Sequence, residues 1–425
     1  MRDNRLHTPV GFRDILPAEC SIKNEIINRV RAEFEGYGYD AVESPSLEYI
    51  EVFSDQNRGG TDPKLMYKYF DREGATLAMR SDMTPGIARI AATAFSDKEL
   101  PLRLYYVGNT FKTSGSYQGK LYEVPQAGVE LMGENSTEAD AEILVLAIKS
   151  ILKSGIKDFR INIGQVKFFK AILDETGLSK DECDSIKETI ANRDYVELEN
   201  IIKNSSISEN GKTIFSKLTK LVGKKDVIDY VRNLTESKEA LDVLDELEKL
   251  YEILKIHGVE KYVYFDLGMI NHLNYYTGII FRGYTYGTGY SIVGGGRYDN
   301  LVSGFGKDMP AVGFTININE IVSIAEKTAN FVKKPKTLIA WNEKGKNSAY
   351  TIGEKYRDNG MIVQNSFITN DFDKNFEYAK KNGIAHMLYF VDNDNLKVVS
   401  LLDEMGGYTV DAKISDLVLP EKEAE

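Results

Sequence analysis

The chain has little cysteine and little histidine. Its 425 residues include two cysteines and four histidines. Cys20 and Cys183 are far apart and match no redox or zinc-binding spacing, and no two histidines stand four residues apart. The sequence therefore predicts neither a metal site nor any other cofactor.

Long hydrophobic runs are also missing. No apolar segment is long enough to cross a bilayer, and the polar stretch 1–7 lacks the apolar core of a signal peptide. The two isolated cysteines fit a reducing compartment. These features predict a cytoplasmic protein that has no membrane partner.

Basic residues are fewer than acidic ones. Lys and Arg number 53 against 64 Asp and Glu, which gives a net charge of −11. Because binding to nucleic acid requires clustered cations that neutralise phosphates, this balance argues mildly against a nucleic-acid partner.

The length predicts two or three domains. Hydrophobic patterning predicts one α/β region over residues 1–330, interrupted by a charged, glycine-poor helical insertion at about 167–258. The basic, proline-containing segment 331–336 is the expected linker. Residues 337–425 follow a β-α-β-α-β pattern and are expected to form a small separate α/β domain.

The spacing of apolar residues predicts individual elements. A helix containing Ile26, Val30 and Phe34 should end near Gly36 and feed a strand. Ser136 should cap another helix. Further strands are predicted at 102–107, 159–163, 262–267, 278–283 and 310–318, and a helix is predicted at 319–328.

Three polar residues interrupt apolar, strand-like sequence: Asp82, Gln126 and Glu130. Burying a carboxylate costs several kcal/mol unless it meets a cation or hydrogen-bond donors. A ligand ammonium or imidazolium group would supply this partner. The alternative is that each residue pairs with a protein arginine, such as Arg80 or Arg103.

Aromatic and glycine residues add two further features. Tyr275 and Tyr276 could give a hydroxyl and a ring wall to a planar ligand, or they could simply be core aromatics. The run 294–296 is all glycine, but it fits no phosphate-binding motif. Glycine packing against a ligand or a neighbouring strand is the expected reason for it.

Several segments, taken together and in order, resemble the class II aminoacyl-tRNA synthetase fold and specifically the histidyl-tRNA synthetase family. These segments are 7–14, 36–45, 107–123, 271–276 and 310–321. The resemblance implies an α+β fold with an antiparallel sheet and flanking helices. It also implies that 337–425 is a degraded anticodon-binding module.

The sequence departs from the synthetases where they use arginine. Lys112, Asn271 and Ile321 stand at positions that the resemblance assigns to arginines of the ATP site. Ser114 stands where an acidic residue reads adenine. Lysine cannot reproduce the two parallel hydrogen bonds that one arginine donates to a carboxylate or phosphate. Without the arginines that hold the ATP phosphates, the rate of adenylate formation should fall by orders of magnitude.

This combination resembles the family of regulatory subunits of ATP phosphoribosyltransferase, on the segments 70–74, 80–85 and 126–130. The resemblance implies a non-catalytic chain that is dimeric through 36–45. It joins a short catalytic subunit in a hetero-oligomer, for the first step of histidine biosynthesis. It also implies that L-histidine acts as the feedback effector.

The resemblance carries over a set of histidine-binding candidates, which are Asp82, Thr84, Gln126, Glu130, Tyr275 and Tyr276. Lys112 and Lys120 are candidate contacts of the histidine carboxylate. Histidine could instead bind at the subunit interface. Two other functions stay open, a divergent histidyl-tRNA synthetase and an RNA-binding module.

Overall fold

The computed structural model describes residues 4–55, 60–113, 120–191, 194–205, 207, 209–217, 221–269, 276–328, 334–368, 370–402 and 407–417. The chain divides into two compact units, Met1–Ala329 and Asn330–Glu425.

The first unit is built around a large sheet. Its strands are β1 (Asp40–Ala41), β2 (Leu47–Tyr49), β3 (Lys68–Phe70), β4 (Thr76–Met79), β5 (Leu102–Phe111), β6 (Glu123–Met132), β7 (Phe159–Gln165), β8 (Val222–Gly223), β9 (Val263–Asp266), β10 (Ile279–Thr285), β11 (Val293–Arg297) and β12 (Ala311–Asn317). The main sheet has the order β1-β5-β6-β12-β11-β10-β7-β9-β8. Its pairs are antiparallel except β1 with β5 and β7 with β9. The predicted antiparallel sheet with flanking helices is confirmed.

Helices flank this sheet and fill the insertion. They are α1 (Pro17–Gly36), α2 (Glu51–Ser54), α3 (Thr84–Thr93), α4 (Thr137–Lys153), α5 (Val166–Glu175), α6 (Lys180–Ala191), α7 (Tyr195–Asn204), α8 (Glu209–Lys217), α9 (Lys225–Arg232), α10 (Lys238–Ile256) and α11 (Ile318–Thr328). Among the described residues, no helix is both long enough and apolar enough to span a membrane.

The helix ends follow from local sequence. Helix α1 buries Ile26, Val30 and Phe34, which recur on one face, and it packs against α4 and α11. The hydroxyl of Ser136 accepts a hydrogen bond from the backbone N–H of Ala139 at 3.3 Å and caps α4 as predicted. The predicted end of α1 and the predicted start of α4 are therefore confirmed.

A small three-stranded sheet, β2-β4-β3, was not expected from the sequence. Its strands are three or four residues long, which is too short for a clear alternating pattern. Glu48 and Ala78 are paired across it and buried, and Glu48 binds Arg89 at 2.8 Å. This sheet leads the chain to the turn before α3.

The second unit contains β13 (Lys336–Trp341), α12 (Lys346–Asp358), β14 (Ile362–Asn365), α13 (Phe372–Lys381), β15 (His386–Phe390), β16 (Asn395–Ser400) and β17 (Tyr408–Lys413). Its sheet has the order β14-β13-β15-β16-β17. The predicted β-α-β-α-β order is present, and β16 and β17 extend it as antiparallel strands that the sequence reading missed.

A buried ion-pair cluster joins β11 to the start of α4. Arg297 is only 2% exposed, and its guanidinium lies 2.7 Å from Asp140 and 3.2 Å from Asp299. It also donates hydrogen bonds to the carbonyls of Glu134 and Ser136. Burial raises the pKa of Asp140 to about 6, although the Arg297 charge opposes this shift. The cluster is satisfied within the protein, so its role is structural.

We expect Arg297→Ala to lower the free energy of unfolding by about 3–5 kcal/mol, because it leaves buried carboxylates uncompensated. The matched control is Arg29→Ala, which removes an exposed pair with Glu25 and should cost less than about 1 kcal/mol. Urea denaturation of both variants checks this, and equal effects would contradict it.

Candidate functional site

A cavity of about 450 Å³ opens on one face of the main sheet. Its walls come from β5, β6, β10, β11, β12 and the start of α3. The lining residues are Ser81, Asp82, Thr84, Thr110, Lys112, Val124, Gln126, Glu130, Tyr276, Ile280, Phe281, Arg282, Ser291, Val293, Gly294, Gly295, Tyr298, Gly313, Phe314, Thr315 and Asn317. The cavity is thus large enough for a small amino acid, and its wall is mixed polar and apolar.

Two elements bring the predicted candidates together. Gln126 and Glu130 are four residues apart on β6, so they point to the same face of the sheet. Asp82 and Thr84 stand at the start of α3, where the Asp82 carboxylate accepts the backbone N–H of Thr84 at 3.2 Å. The strand face and the helix start converge on one cavity.

Glu130 is the most deeply buried acid of this site, at 1% exposure. One carboxylate oxygen, Oε1, accepts a hydrogen bond from the Thr84 hydroxyl at 2.7 Å, and Oε2 accepts one from the Tyr298 hydroxyl. Burial raises the pKa of Glu130 to about 8, while these two hydrogen bonds oppose the shift. Both hydrogen-bond partners are neutral, and Glu130 forms no ion pair with any residue that the structure describes.

Arg80 and Arg103, the alternative partners of the cavity acids, bind other groups. Arg80 donates to the carbonyls of Ser44 and Asn109 at 2.6 and 2.7 Å. Arg103 binds the carboxylate of Glu142 at 3.0 Å. Pairing of the cavity acids with Arg80 or Arg103 therefore does not occur in the structure.

Asp82 is the second acid of the cavity. Burial raises its pKa, and the hydrogen bond from the Thr84 backbone and the charge of Lys112 oppose the rise. The charge of Asp82 also contributes to the raised pKa of Glu130. Two acids held close together in this way favour a ligand that brings hydrogen-bond donors or positive charge.

Two amide side chains face the same space. Gln126 on β6 and Asn317 on β12 are direct cross-strand partners. The side-chain oxygens of both are buried and accept no hydrogen bond from any described residue. Sequence reasoning missed Asn317, although it interrupts an apolar strand in the same way as Gln126 does. Both oxygens are available acceptors for ligand donors.

Tyr276 lies on the cavity wall, whereas Tyr275 falls outside the described residues. Burial raises the pKa of Tyr276, and the nearby Asp82 and Glu130 raise it further. Its ring covers Gly296, where an added Cβ would lie 2.7 Å from the ring. The hydroxyl is therefore neutral, and the ring forms an apolar surface.

The glycine residues of β11 and β12 make room for the site. Gly313 is the cross-strand partner of Glu130, and a Cβ there would overlap the Glu130 carboxylate. A Cβ at Gly295 would overlap the carbonyl of Gly313, whereas Gly294 has no atom nearer than 3.8 Å. The expectation that this run packs against a neighbouring strand is confirmed.

Two cationic residues, Lys112 and Arg282, line the cavity, whereas Lys120 does not. Lys112 at the end of β5 lines the cavity and is exposed, and Arg282 on β10 lines it from the other side. Sequence reasoning missed Arg282, which alternates with Ile280 on an otherwise apolar strand. Lys120 is not among the lining residues, and its ammonium lies 5.8 Å from the ring centre of Tyr290.

Ile321 stands at a position that the resemblance assigns to an arginine of the ATP site. It is fully buried in α11. The neighbouring Glu320 accepts a hydrogen bond from the Thr288 hydroxyl.

The family model of histidyl-tRNA synthetase matches residues 11–321. The histidyl-tRNA synthetase of Nostoc sp. PCC 7120 superposes with a TM-score of 0.81, covering 96% of both chains. At 23% sequence identity this likeness concerns the fold alone. The family match and the fold together define a histidyl-tRNA synthetase-like protein.

Other relatives are more similar in sequence. The ATP phosphoribosyltransferase regulatory subunit of Acetivibrio thermocellus is 39% identical over 403 residues, which are 94% of this chain and 96% of that protein. A solved Bacillus halodurans C structure, described as an ATP phosphoribosyltransferase regulatory subunit/histidyl-tRNA synthetase, is 30% identical with a TM-score of 0.81. It covers 92% of this chain and 99% of its own. The chain therefore belongs to the histidyl-tRNA synthetase family and, within it, to the ATP phosphoribosyltransferase regulatory subunits.

We expect Gly313→Ala to destabilise the protein by about 1–3 kcal/mol, because the added methyl group displaces the Glu130 carboxylate. Gly294→Ala is the matched control, since it adds a methyl group to the same cavity wall without a close neighbour. Urea denaturation should show the control unchanged or slightly more stable. Equal losses in both variants would show that the Glu130 contact is unimportant.

The raised pKa of Glu130 also predicts a pH dependence of stability. Between the ordinary pKa of 4.5 and about 8, the folded protein keeps a proton that the unfolded chain has lost. The free energy of unfolding therefore falls as pH rises through this window. Denaturation from pH 5 to 8.5 should show a steeper fall for the wild type than for Glu130→Gln. Parallel curves would contradict this.

Proposed function

We propose that this chain is a non-catalytic regulatory subunit of ATP phosphoribosyltransferase. It acts with a short catalytic subunit in the first step of histidine biosynthesis and carries feedback regulation by L-histidine. The proposal is supported by the similarity over nearly the whole chain to relatives of that name. The observation that carries the site is the buried Glu130, whose carboxyl oxygens accept hydrogen bonds from two neutral hydroxyl groups.

Histidine fits the chemistry of the cavity. Its imidazole N–H can donate to Glu130, which then ionises, and its α-ammonium group can donate to Asp82 and to the unpartnered oxygen of Gln126. The ring of Tyr276 gives the imidazole an apolar wall. Lys112 and Arg282 are the cations of the wall that can meet the carboxylate. A zwitterion therefore finds complementary charge at both ends.

The same cavity is poorly equipped for adenylate formation. That chemistry depends on cations that clamp a triphosphate. Lys112, which lines the cavity, and Ile321 stand at positions that the resemblance assigns to arginines of the ATP site. Asn271 and Ser114 lie outside the described residues. These features favour binding without reaction over a divergent histidyl-tRNA synthetase, and no separate observation favours an RNA-binding role.

We further propose that the two parts of the chain have different roles. Residues 1–330, with the helical insertion at about 167–258, form the histidine-binding and dimer-forming domain. The segment 331–336 links it to 337–425, a degraded anticodon-binding module. The protein acts in the cytoplasm as a homodimer within a hetero-oligomer. Histidine favours one of two arrangements of this assembly and so biases the catalytic partner.

Histidine binding by the isolated chain should release close to one proton at pH 7. Glu130, with a pKa of about 8, is mainly protonated there and ionises when it accepts the imidazole N–H. Calorimetry in buffers of different ionisation enthalpy measures the released proton. Glu130→Gln should abolish the release and weaken binding at least about 10-fold, since hydrogen bonds to charged groups contribute about 1.5–3 kcal/mol.

The control for this experiment is Glu199→Gln, a neutralised acid on exposed α7. It should bind histidine as the wild type does. Mixed with a short phosphoribosyltransferase, the wild type should restore activity that histidine lowers, and Glu130→Gln should restore activity that histidine leaves unchanged. If Glu130→Gln keeps normal histidine inhibition, the effector binds elsewhere, such as at the subunit interface.

A further inference from the structure

A second, larger concavity lies on the same unit, at the ends of β7, β9 and β10. We call it the tyrosine groove, and its volume is about 1080 Å³. Five aromatic rings line it: Phe159, Tyr262, Tyr264, Tyr284 and Tyr286. Tyr286 is 90% exposed at its rim. Nothing in the proposed histidine site uses these residues.

The groove carries positive charge on an acidic protein. Lys157, Arg160 and Lys261 line it and are exposed, against Asp158 as the acid of the lining. None of these three cations forms an ion pair with another residue that the structure describes. Because the whole chain has a net charge of −11, this local excess of cations is opposite in sign to its surroundings.

The faces of several rings are already covered. Phe159 and Tyr262 stack on each other at 4.6 Å and 7°, and the ammonium of Lys261 lies 5.0 Å from the Tyr262 ring centre. The ammonium of Lys224 lies 3.9 Å from the ring centre of Tyr264, held by backbone carbonyls. Nucleic-acid bases need open ring faces on which to stack. Around Phe159, Tyr262 and Tyr264 the groove instead offers hydroxyl groups and cations, which suit carboxylates.

We propose that the tyrosine groove is the docking surface for an acidic segment of the catalytic partner subunit, an inference that rests on the proposed function. Tyrosine and arginine are the residues that most often dominate the binding energy of protein interfaces. Complementary charge steers the encounter and excludes wrong partners. A carboxylate-rich segment of the partner would supply the anions that Lys157, Arg160 and Lys261 lack within this chain.

The groove and the histidine cavity share strand β10. Ile280 and Arg282 line the cavity, while Tyr284 and Tyr286 line the groove. Residues two positions apart on a strand are separated by less than 7 Å. The register also places Arg160 beside Tyr284 and Asn162 beside Arg282 on neighbouring β7. A partner seated in the groove therefore contacts the strand that forms one wall of the effector site.

The test measures assembly of the full chain with a short phosphoribosyltransferase by sedimentation. Arg160→Glu and Lys261→Glu should each weaken association at least about 10-fold, and added salt should weaken the wild-type complex. The matched control is Lys203→Glu, a charge reversal at an exposed lysine of the insertion, which should assemble normally. Calorimetric histidine binding by the same variants, expected to be unchanged, shows that they are folded.

The outcomes separate this inference from the proposed function. If the wild type assembles and both groove variants assemble equally well, the groove is not the docking surface, although the proposed function stands. If the wild type itself does not assemble, the proposed function fails and the inference fails with it. If the groove variants assemble normally but lose binding to a single-stranded oligonucleotide, the groove serves nucleic acid and the inference is wrong.

Discussion

The buried carboxyl group of Glu130 is the constraint on which the site depends. Two hydroxyl groups hold its oxygens, one from the start of α3 and one from the residue after β11. These contacts fix the helix start and the sheet relative to each other, and Gly313 leaves the space that the carboxyl group needs. The protein thus maintains an acid whose charge is costly until a ligand donates to it, which is the physical basis of a sensor.

A comparison with Arg297 shows why this acid points to a ligand. Asp140 is also buried and Asp299 is partly buried, but the Arg297 guanidinium lies beside both of them. That cluster is complete within the protein. In contrast, the hydrogen-bond partners of Glu130 are neutral hydroxyl groups, and the amide oxygen of Gln126 accepts no hydrogen bond from any described residue. On this sheet, a polar group whose charge and hydrogen-bond partners lie within the protein is structural, whereas one without such partners is a candidate for ligand binding.

Much of this could be predicted from the sequence where periodicity is strong. Ile26, Val30 and Phe34 mark α1, and the spacing of Gln126 and Glu130 places both on one face of β6. The contacts of Glu130 could not be predicted, because Thr84 and Tyr298 lie 46 and 168 residues away in sequence. Arg282 and Asn317 were missed since a single polar residue in a strand does not reveal which face it occupies. The strands of β2-β4-β3 are too short to show a period.

The central claim is that this chain binds histidine but does not convert it to an adenylate. Histidine-dependent ATP–pyrophosphate exchange by the purified chain, measured beside equilibrium histidine binding, tests it most directly. The account predicts saturable histidine binding with no exchange above background, because Lys112, Asn271 and Ile321 stand at the positions that the resemblance assigns to arginines. Clear histidine-dependent exchange would contradict the account, since it would mean that other residues have replaced the arginines and that the protein is a synthetase.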